Sequence, residues 1–160
     1  MVVSGGQSGV DRAALDAARL EGLATGGWCP RGRRAEDGRI AEHYRLSETP
    51  LARAIQRTLW NVRDSEATLI LSPGRPRGGT LLTLRAAAGR RPCLLLAPQA
   101  RGAHRRALAF LRRHRVRRLN VAGPRESEAP GIYEAAWRFL AALFAAWPAR
   151  PWRAATVPPR

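Results

Sequence analysis

The chain has 160 residues, 45% of them apolar, and a formal net charge of +16. This length suits a single domain with a sizeable core. No apolar run approaches the roughly 20 residues that span a bilayer, so no membrane partner is expected. All 28 positions counted as Lys or Arg are arginine. Without lysine there is no Schiff-base chemistry and no Walker A phosphate loop. The same feature changes what the charge implies. A basic chain ordinarily points to nucleic acid, but Arg, Ala, Gly and Pro dominate here, as under compositional bias, with Arg filling solvated positions. Charge alone supplies only non-specific binding, and nucleic acid is not expected as the principal partner.

In chain order, Met1 to Ser4 reads as a first strand. It feeds the turn Ser4-Gly5-Gly6-Gln7-Ser8-Gly9, and a helix follows from about Val10 to Glu21, with Gly22 as its stop. Glycines let a backbone approach a ligand, and the helix N-terminus after them offers free N–H groups and positive dipole charge, a combination that suits an anion. Ala24 to Trp28 is a candidate second strand. A long polar loop runs from Cys29 to about Pro50 and carries Glu36 and Asp37 among its arginines. Loops of that length are usually functional or disordered. Cys29 and Cys93 do not make a disulfide framework. With no signal peptide at the N-terminus, a cytoplasmic protein is expected.

Thr49 as N-cap and Pro50 at the first helical position predict a helix. Leu51, Ile55, Leu59 and Val62 share one of its faces, with Arg53, Arg57, Trp60 and Asp64 opposite. Trp60 among arginines suits either a ligand wall or a subunit interface. Ala67 to Ser72 is a continuous β-prone run, as in a strand buried on both faces. The turn Pro73 to Thr80 follows, with Gly78 and Gly79, and then a helical pattern to Ala88. Cys93 to Ala97 repeats the buried-strand signal. Ala103 to His114 is an amphipathic helix whose Arg105, Arg106, Arg112 and Arg113 form a solvated side. Arg118 to Ala122 is the last strand, followed by the turn Gly123-Pro124-Arg125-Glu126-Ser127. The final helix, Pro130 to Ala146, carries Ile132, Ala136, Phe139, Leu140 and Leu143 on one stripe. Residues 147–160 are rich in Pro and Arg and read as a loose tail.

Alternating strands and helices predict a single α/β domain at 1–146, doubly wound around a mostly parallel sheet of at least five strands. Three glycine-bearing turns leave strand carboxyl ends, which lie on one edge of such a sheet, where ligands bind. The expected site is therefore an anion crevice. Its candidate residues are Gly5, Gly6, Gln7, Ser8, Gly9, Arg57, Trp60, Gly78, Gly79, Thr80, Gly123, Arg125, Glu126 and Ser127. A bulky residue at Gly6 is expected to block the ligand and spare the fold, because the turn is placed outside the core. Trp60 and the apolar stripe of the last helix suggest a homo-oligomer.

Four stretches carry a family resemblance: Ser4 to Asp16, Gly26 to Gly38, Arg57 to Ser65 and Asn120 to Ser127. Over about residues 2–146 the chain resembles the putative molybdenum carriers, relatives of molybdenum-cofactor carrier proteins in a Rossmann-like superfamily that includes lysine-decarboxylase-like nucleotide phosphoribohydrolases. The resemblance implies an anionic ligand, molybdenum cofactor or molybdate, and a dimer or tetramer. Backbone N–H groups at Gly5-Gly6 and Gly78-Gly79 would hold phosphate or oxo ligands, Arg57 and Arg125 would add forked hydrogen bonds, and Trp60 or Trp28 would stack on a pterin. The alternative is a nucleotide-binding protein or a nucleoside-monophosphate phosphoribohydrolase-like enzyme. In the hydrolases' motif P-G-G-x-G-T-x-x-E, Gly79-Thr80 takes the place of the G-T pair and Arg57 that of the upstream catalytic Arg. Thr83 stands in place of the catalytic Glu, and a threonine is not an ionised carboxylate at neutral pH. A binding role is therefore expected ahead of an enzymatic one.

Overall fold

The computed structural model describes residues 1–147; of the tail expected to be loose at 147–160, Trp147 is instead buried in the core, and 148–160 lie outside the described residues. The elements in order are β1 (Val2–Val3), α1 (Val10–Leu20), β2 (Thr25–Gly26), β3 (Trp28–Cys29), β4 (Arg34–Ala35), β5 (Gly38–Arg39), β6 (Ser47–Glu48), α2 (Ala54–Arg63), β7 (Ala67–Leu71), α3 (Gly78–Ala87), β8 (Cys93–Leu96), α4 (Ala103–Arg113), β9 (Leu119–Ala122) and α5 (Ile132–Ala146).

The central sheet has five strands in the order β2-β1-β9-β7-β8, all pairings parallel. Every residue of β7 and β9 is buried; apart from Thr68 and Asn120, which bond to each other across the pair at 3.3 Å, the residues are apolar, as in strands covered on both faces. Crossover hand sorts the helices. The steps β1 to β2 and β8 to β9 run one way along the sheet, and the helices that make them, α1 and α4, pack with α5 in one core cluster. The steps β2 to β7 and β7 to β8 run the other way, and α2 and α3 pack together against the opposite face. On the first face Ile132, Ala136, Phe139, Leu140 and Leu143 are buried. Burying each large side chain contributes about 1.5–3 kcal/mol against the entropy of ordering it. The expected stripe of the last helix is thus used inside the domain.

Three expectations are corrected. The second-strand segment splits: Gly27, at φ 132°, turns the chain out of the sheet after β2, and β3 pairs with β6 instead. The loop after Cys29 is organised, holding β6 and the β4–β5 hairpin. Arg33, whose side chain is only 5% exposed, donates to the carbonyls of Ile40, Ala41, Tyr44 and Leu46 and gathers the loop around itself.

The third correction concerns α2. It starts at Ala54 with Arg53 as N-cap, because Thr49 is held by the β3–β6 ladder, its N–H and hydroxyl both donating to the Cys29 carbonyl. Its inward face is also rotated from the expected one, of which Val62 alone stays inside. Leu51, Ile55 and Leu59 are 54%, 55% and 40% exposed, while Thr58, Asn61 and Val62 are buried. Polar partners set this rotation. Asn61 accepts from the Trp28 N–H and donates to the Trp28 carbonyl, and Arg57 reaches Asp11.

Candidate functional site at the carboxyl edge

The turn after β9 lies between those after β1 and β7, because β9 lies between their strands. Two clefts flank it. The first, of about 730 Å³, is lined by Ser8, Gly9, Arg12, Asp16, Glu36, Asp37, Tyr44, Glu126, Ser127, Pro130 and Tyr133. The second, of about 460 Å³, is lined by Ser72, Pro73, Gly74, Arg75, Arg77, Thr80, Pro124, Glu128 and Ala129.

The first cleft begins where two turns nest. Gly9 has φ 71°, and a Cβ there would meet the Glu126 nitrogen at 2.8 Å and the Arg125 carbonyl carbon at 2.9 Å. Only glycine serves both the conformation and the approach. Glu36 enters this nest from the β4–β5 hairpin. Its carboxylate accepts from the Ser8 hydroxyl, the Ser127 hydroxyl and the Ser127 N–H, the last at 3.1 Å. Arg125 Nε lies 3.8 Å from it. Burial works against the Glu36 charge, but the bonds from Ser127 and Ser8, with Arg125, prevail and hold the carboxyl below its ordinary range. Gln7 ties the hairpin down, its Oε1 accepting from the N–H groups of Ser8 and Glu36.

Most other groups of this cleft are also paired, although the buried Nε of Arg12 has no hydrogen-bond partner among the described residues. Glu126 accepts from the Gly131 and Tyr133 N–H groups and so caps α5. Arg12 pairs with Asp37. Asp16 accepts from the hydroxyls of Tyr44 and Tyr133. Burial and the Asp16 carboxylate push Tyr133 up to about 12. Arg12, Asp16 and the two tyrosines did not emerge from the sequence. The available signal was the i, i+4 placement of Arg12 and Asp16 on an otherwise alanine-rich helix that opens at the glycine turn.

The second cleft has the opposite character. Gly78, Gly79 and Thr80 begin α3, whose N-cap Arg77 supplies no side-chain bond. The N–H groups of these three residues have no protein acceptor among the described residues. Thr80 is 4% exposed, and its buried hydroxyl oxygen has no hydrogen-bond partner. Arg75 and Arg77 stand at the rim, both exposed. Glu128 also lines the cleft, 3.3 Å from Arg125.

The remaining candidates lie elsewhere. Arg57 lines neither cleft; it packs onto Gly5 and pairs with buried Asp11 at 3.1 Å. Burial raises the Asp11 pKa, against the pull of the Arg57 charge. Trp60 stacks edge to face on Trp28 at 4.7 Å and lies under the Arg63 guanidinium. Trp28 donates from Nε1 to Asp64. Gly6 is buried, and a Cβ there would press on Ile40 and Leu46. A bulky substitution would strike core, contrary to expectation. Gly123 passes tightly between Leu71 and Val10. Thr83 is buried and turns its hydroxyl onto the Gly79 carbonyl at 3.0 Å. Among the described residues no group of three or more His, Cys, Asp or Glu is placed to hold a metal ion, and no helix is long and apolar enough to cross a membrane.

The fold recurs in the crystal structure of a protein from Syntrophus aciditrophicus SB described as a putative molybdenum carrier protein. The two are 41% identical, and the match covers 91% of this chain and 94% of that one with a TM-score of 0.84. No curated protein is matched. Residues 2–144 match the model of the circularly permutated YpsA SLOG family. A 143-residue match of that kind takes in the sheet, both clefts and nearly all of α5, and the chain belongs to this family.

Proposed function

We propose that the protein binds and carries an anionic ligand, molybdenum cofactor or molybdate, at the carboxyl edge of its sheet. The observation that carries this is Thr80. A buried hydroxyl without a partner costs stability, and this one lines a cleft beside three unpaired N–H groups at a helix N-terminus and two exposed arginines. That donor set suits a phosphate or oxo group. The molybdenum-carrier description of the Syntrophus protein supports the identity of the cargo. Trp28 and Trp60 stack on each other; the aromatic groups offered to a ligand body are Tyr44 and Tyr133.

A nucleotide is the second reading, favoured by the same Thr80 cleft, since a phosphate monoester presents the same oxygens. Calorimetric titration with molybdenum cofactor, molybdate, phosphate and nucleoside monophosphates, alongside an assay for base release, separates the two. Carriage predicts saturable binding of a molybdenum species without base release; release of base from a monophosphate overturns it. A cytoplasmic setting agrees with two free cysteines. We also propose a homo-oligomer, a dimer or tetramer, supported by the exposed stripe Leu51, Ile55 and Leu59. Light scattering that shows a monomer at micromolar concentration contradicts it.

A further inference from the structure

We propose that Glu36 is a built-in competitor for the ligand: its carboxylate occupies an oxyanion seat formed by Ser8, Ser127 and Arg125, and an incoming oxyanion enters that seat only by replacing it. The inference rests on the anion-carrier reading and specifies the kind of anion admitted to the larger cleft.

The seat is built by the two nested turns without help from Glu36. Ser8 follows β1, and Ser127 and Arg125 follow β9. The Glu126 N–H fixes the Ser8 hydroxyl at 3.2 Å, so its proton points away from that bond. Two hydroxyls, one N–H and a guanidinium converge on one place, and a side chain from 28 residues away fills it. The hairpin that delivers Glu36 is held by other contacts: the Glu36 N–H donates to Gln7, Asp37 pairs with Arg12, and Arg33 anchors the loop base. The carboxylate is therefore free to swing out toward the cleft while the backbone stays.

Charge makes the exchange exclusive. With Glu36 seated, its carboxylate at 3.8 Å and that of Glu128 at 3.3 Å together balance Arg125, while Asp37, Asp16 and Glu126 line the rest of the cleft with Arg12 as the cation among them. A dianion placed beside a seated Glu36 would meet like charge at contact distance. A tetrahedral dianion in its place offers the donors more oxygens and more charge. A tethered competitor acts at an effective concentration of about millimolar. Free inorganic oxyanion at micromolar levels is excluded from this seat. A ligand that carries an oxyanion on a larger body, able to use the Tyr44 and Tyr133 walls as well, is admitted.

The test is a titration of inorganic phosphate into the wild-type protein, Glu36→Gln and Glu36→Asp at fixed pH and ionic strength. The readout is the Ser127 amide resonance for this seat and the Gly78, Gly79 and Thr80 amides for the other cleft. Glu36→Gln keeps the shape and loses the charge; Glu36→Asp keeps the charge and loses the reach. Glu36→Gln is expected to bind phosphate at Ser127 about tenfold tighter than wild type, the difference between a charged and a neutral hydrogen-bonding competitor, and Glu36→Asp to bind it tighter as well, because the shorter carboxylate no longer reaches the seat. Equal or weaker binding at Ser127 in both variants, with the α3 amides still responding, overturns the competitor and leaves the anion reading standing. No response at either set of amides in any of the three proteins overturns both.

Discussion

The two clefts beside the β9 turn use the same backbone device and finish it in opposite ways. In the larger cleft, protein acids meet the donors: Glu36 fills the seat between the turns, and Glu126 caps α5. In the smaller cleft, α3 begins without a side-chain cap, Arg75 and Arg77 stand at the rim, Glu128 lines the wall without bonding the α3 N–H groups, and Thr80 keeps a hydroxyl unpartnered. A strand, a glycine turn and a helix mark where an anion fits. Whether the protein supplies that anion itself depends on acids arriving from elsewhere in the chain. On the function proposed above, the smaller cleft would be the primary anion site and the larger one conditional.

The largest expected effect comes from giving the smaller cleft what the larger one has. Arg77 already has the extended conformation of an N-cap, φ −131° and ψ 170°. Arg77→Asp would cap α3 with a carboxylate and remove a cation. Anion affinity should fall by about a hundredfold or more, the loss of one or two charged contacts, while the cap adds about 0.5–2 kcal/mol of stability and raises Tm by a few degrees. Retained affinity with a raised Tm would show that the α3 terminus is not the site.

Thr80→Val is next. It preserves shape and removes the orphaned hydroxyl. If that hydroxyl serves a charged ligand, affinity falls by about ten- to a hundredfold, and the ligand-free protein is as stable as wild type or more so, because an unsatisfied buried group has gone. A loss of stability in thermal unfolding would mean that the hydroxyl does structural work.

The smallest effect is a pH response of the larger cleft. Glu36 has a folded pKa below its ordinary value, so its contribution to stability is present above the unfolded glutamate value of about 4.3 and is lost as pH falls through the folded value. The charged groups around it are Arg125, with Glu128 beyond, and Arg12, Asp37, Asp16 and Glu126 within the cleft. The protection of the Ser127 amide against hydrogen exchange, taken relative to its intrinsic rate at each pH, should fall on acidification below that range, while protection of the α3 amides should not follow it. A parallel loss of protection at both places would erase the difference between the clefts.

The sheet was legible because strands buried on both faces are largely apolar, as in Ala67–Leu71 with Thr68 its one polar residue, and because the α5 stripe has helical spacing. The orientation of α2 was not, because its inward face is polar: Asn61 and Arg57 bond to Trp28 and Asp11, far away in sequence. The loop after Cys29 hid its order for a related reason. Its strands are two residues long, and its organiser is a buried arginine at φ 54°. At the site, the glycines pointed to the turns, while Glu36 was one acid among the charges of a polar loop, and nothing local to it specified Ser8 or Ser127 as its partners.

The central claim is that a free helix terminus at Thr80 receives the anion. An amide-resolved titration of the wild-type protein with molybdate and with phosphate at fixed ionic strength tests it most directly. The account predicts saturable shifts at Gly78, Gly79 and Thr80 before any others. Shifts spread instead over the exposed arginine side of α4, around Arg105, Arg106, Arg112 and Arg113, with a steep dependence on salt, would contradict it and point to a diffuse polyanion surface.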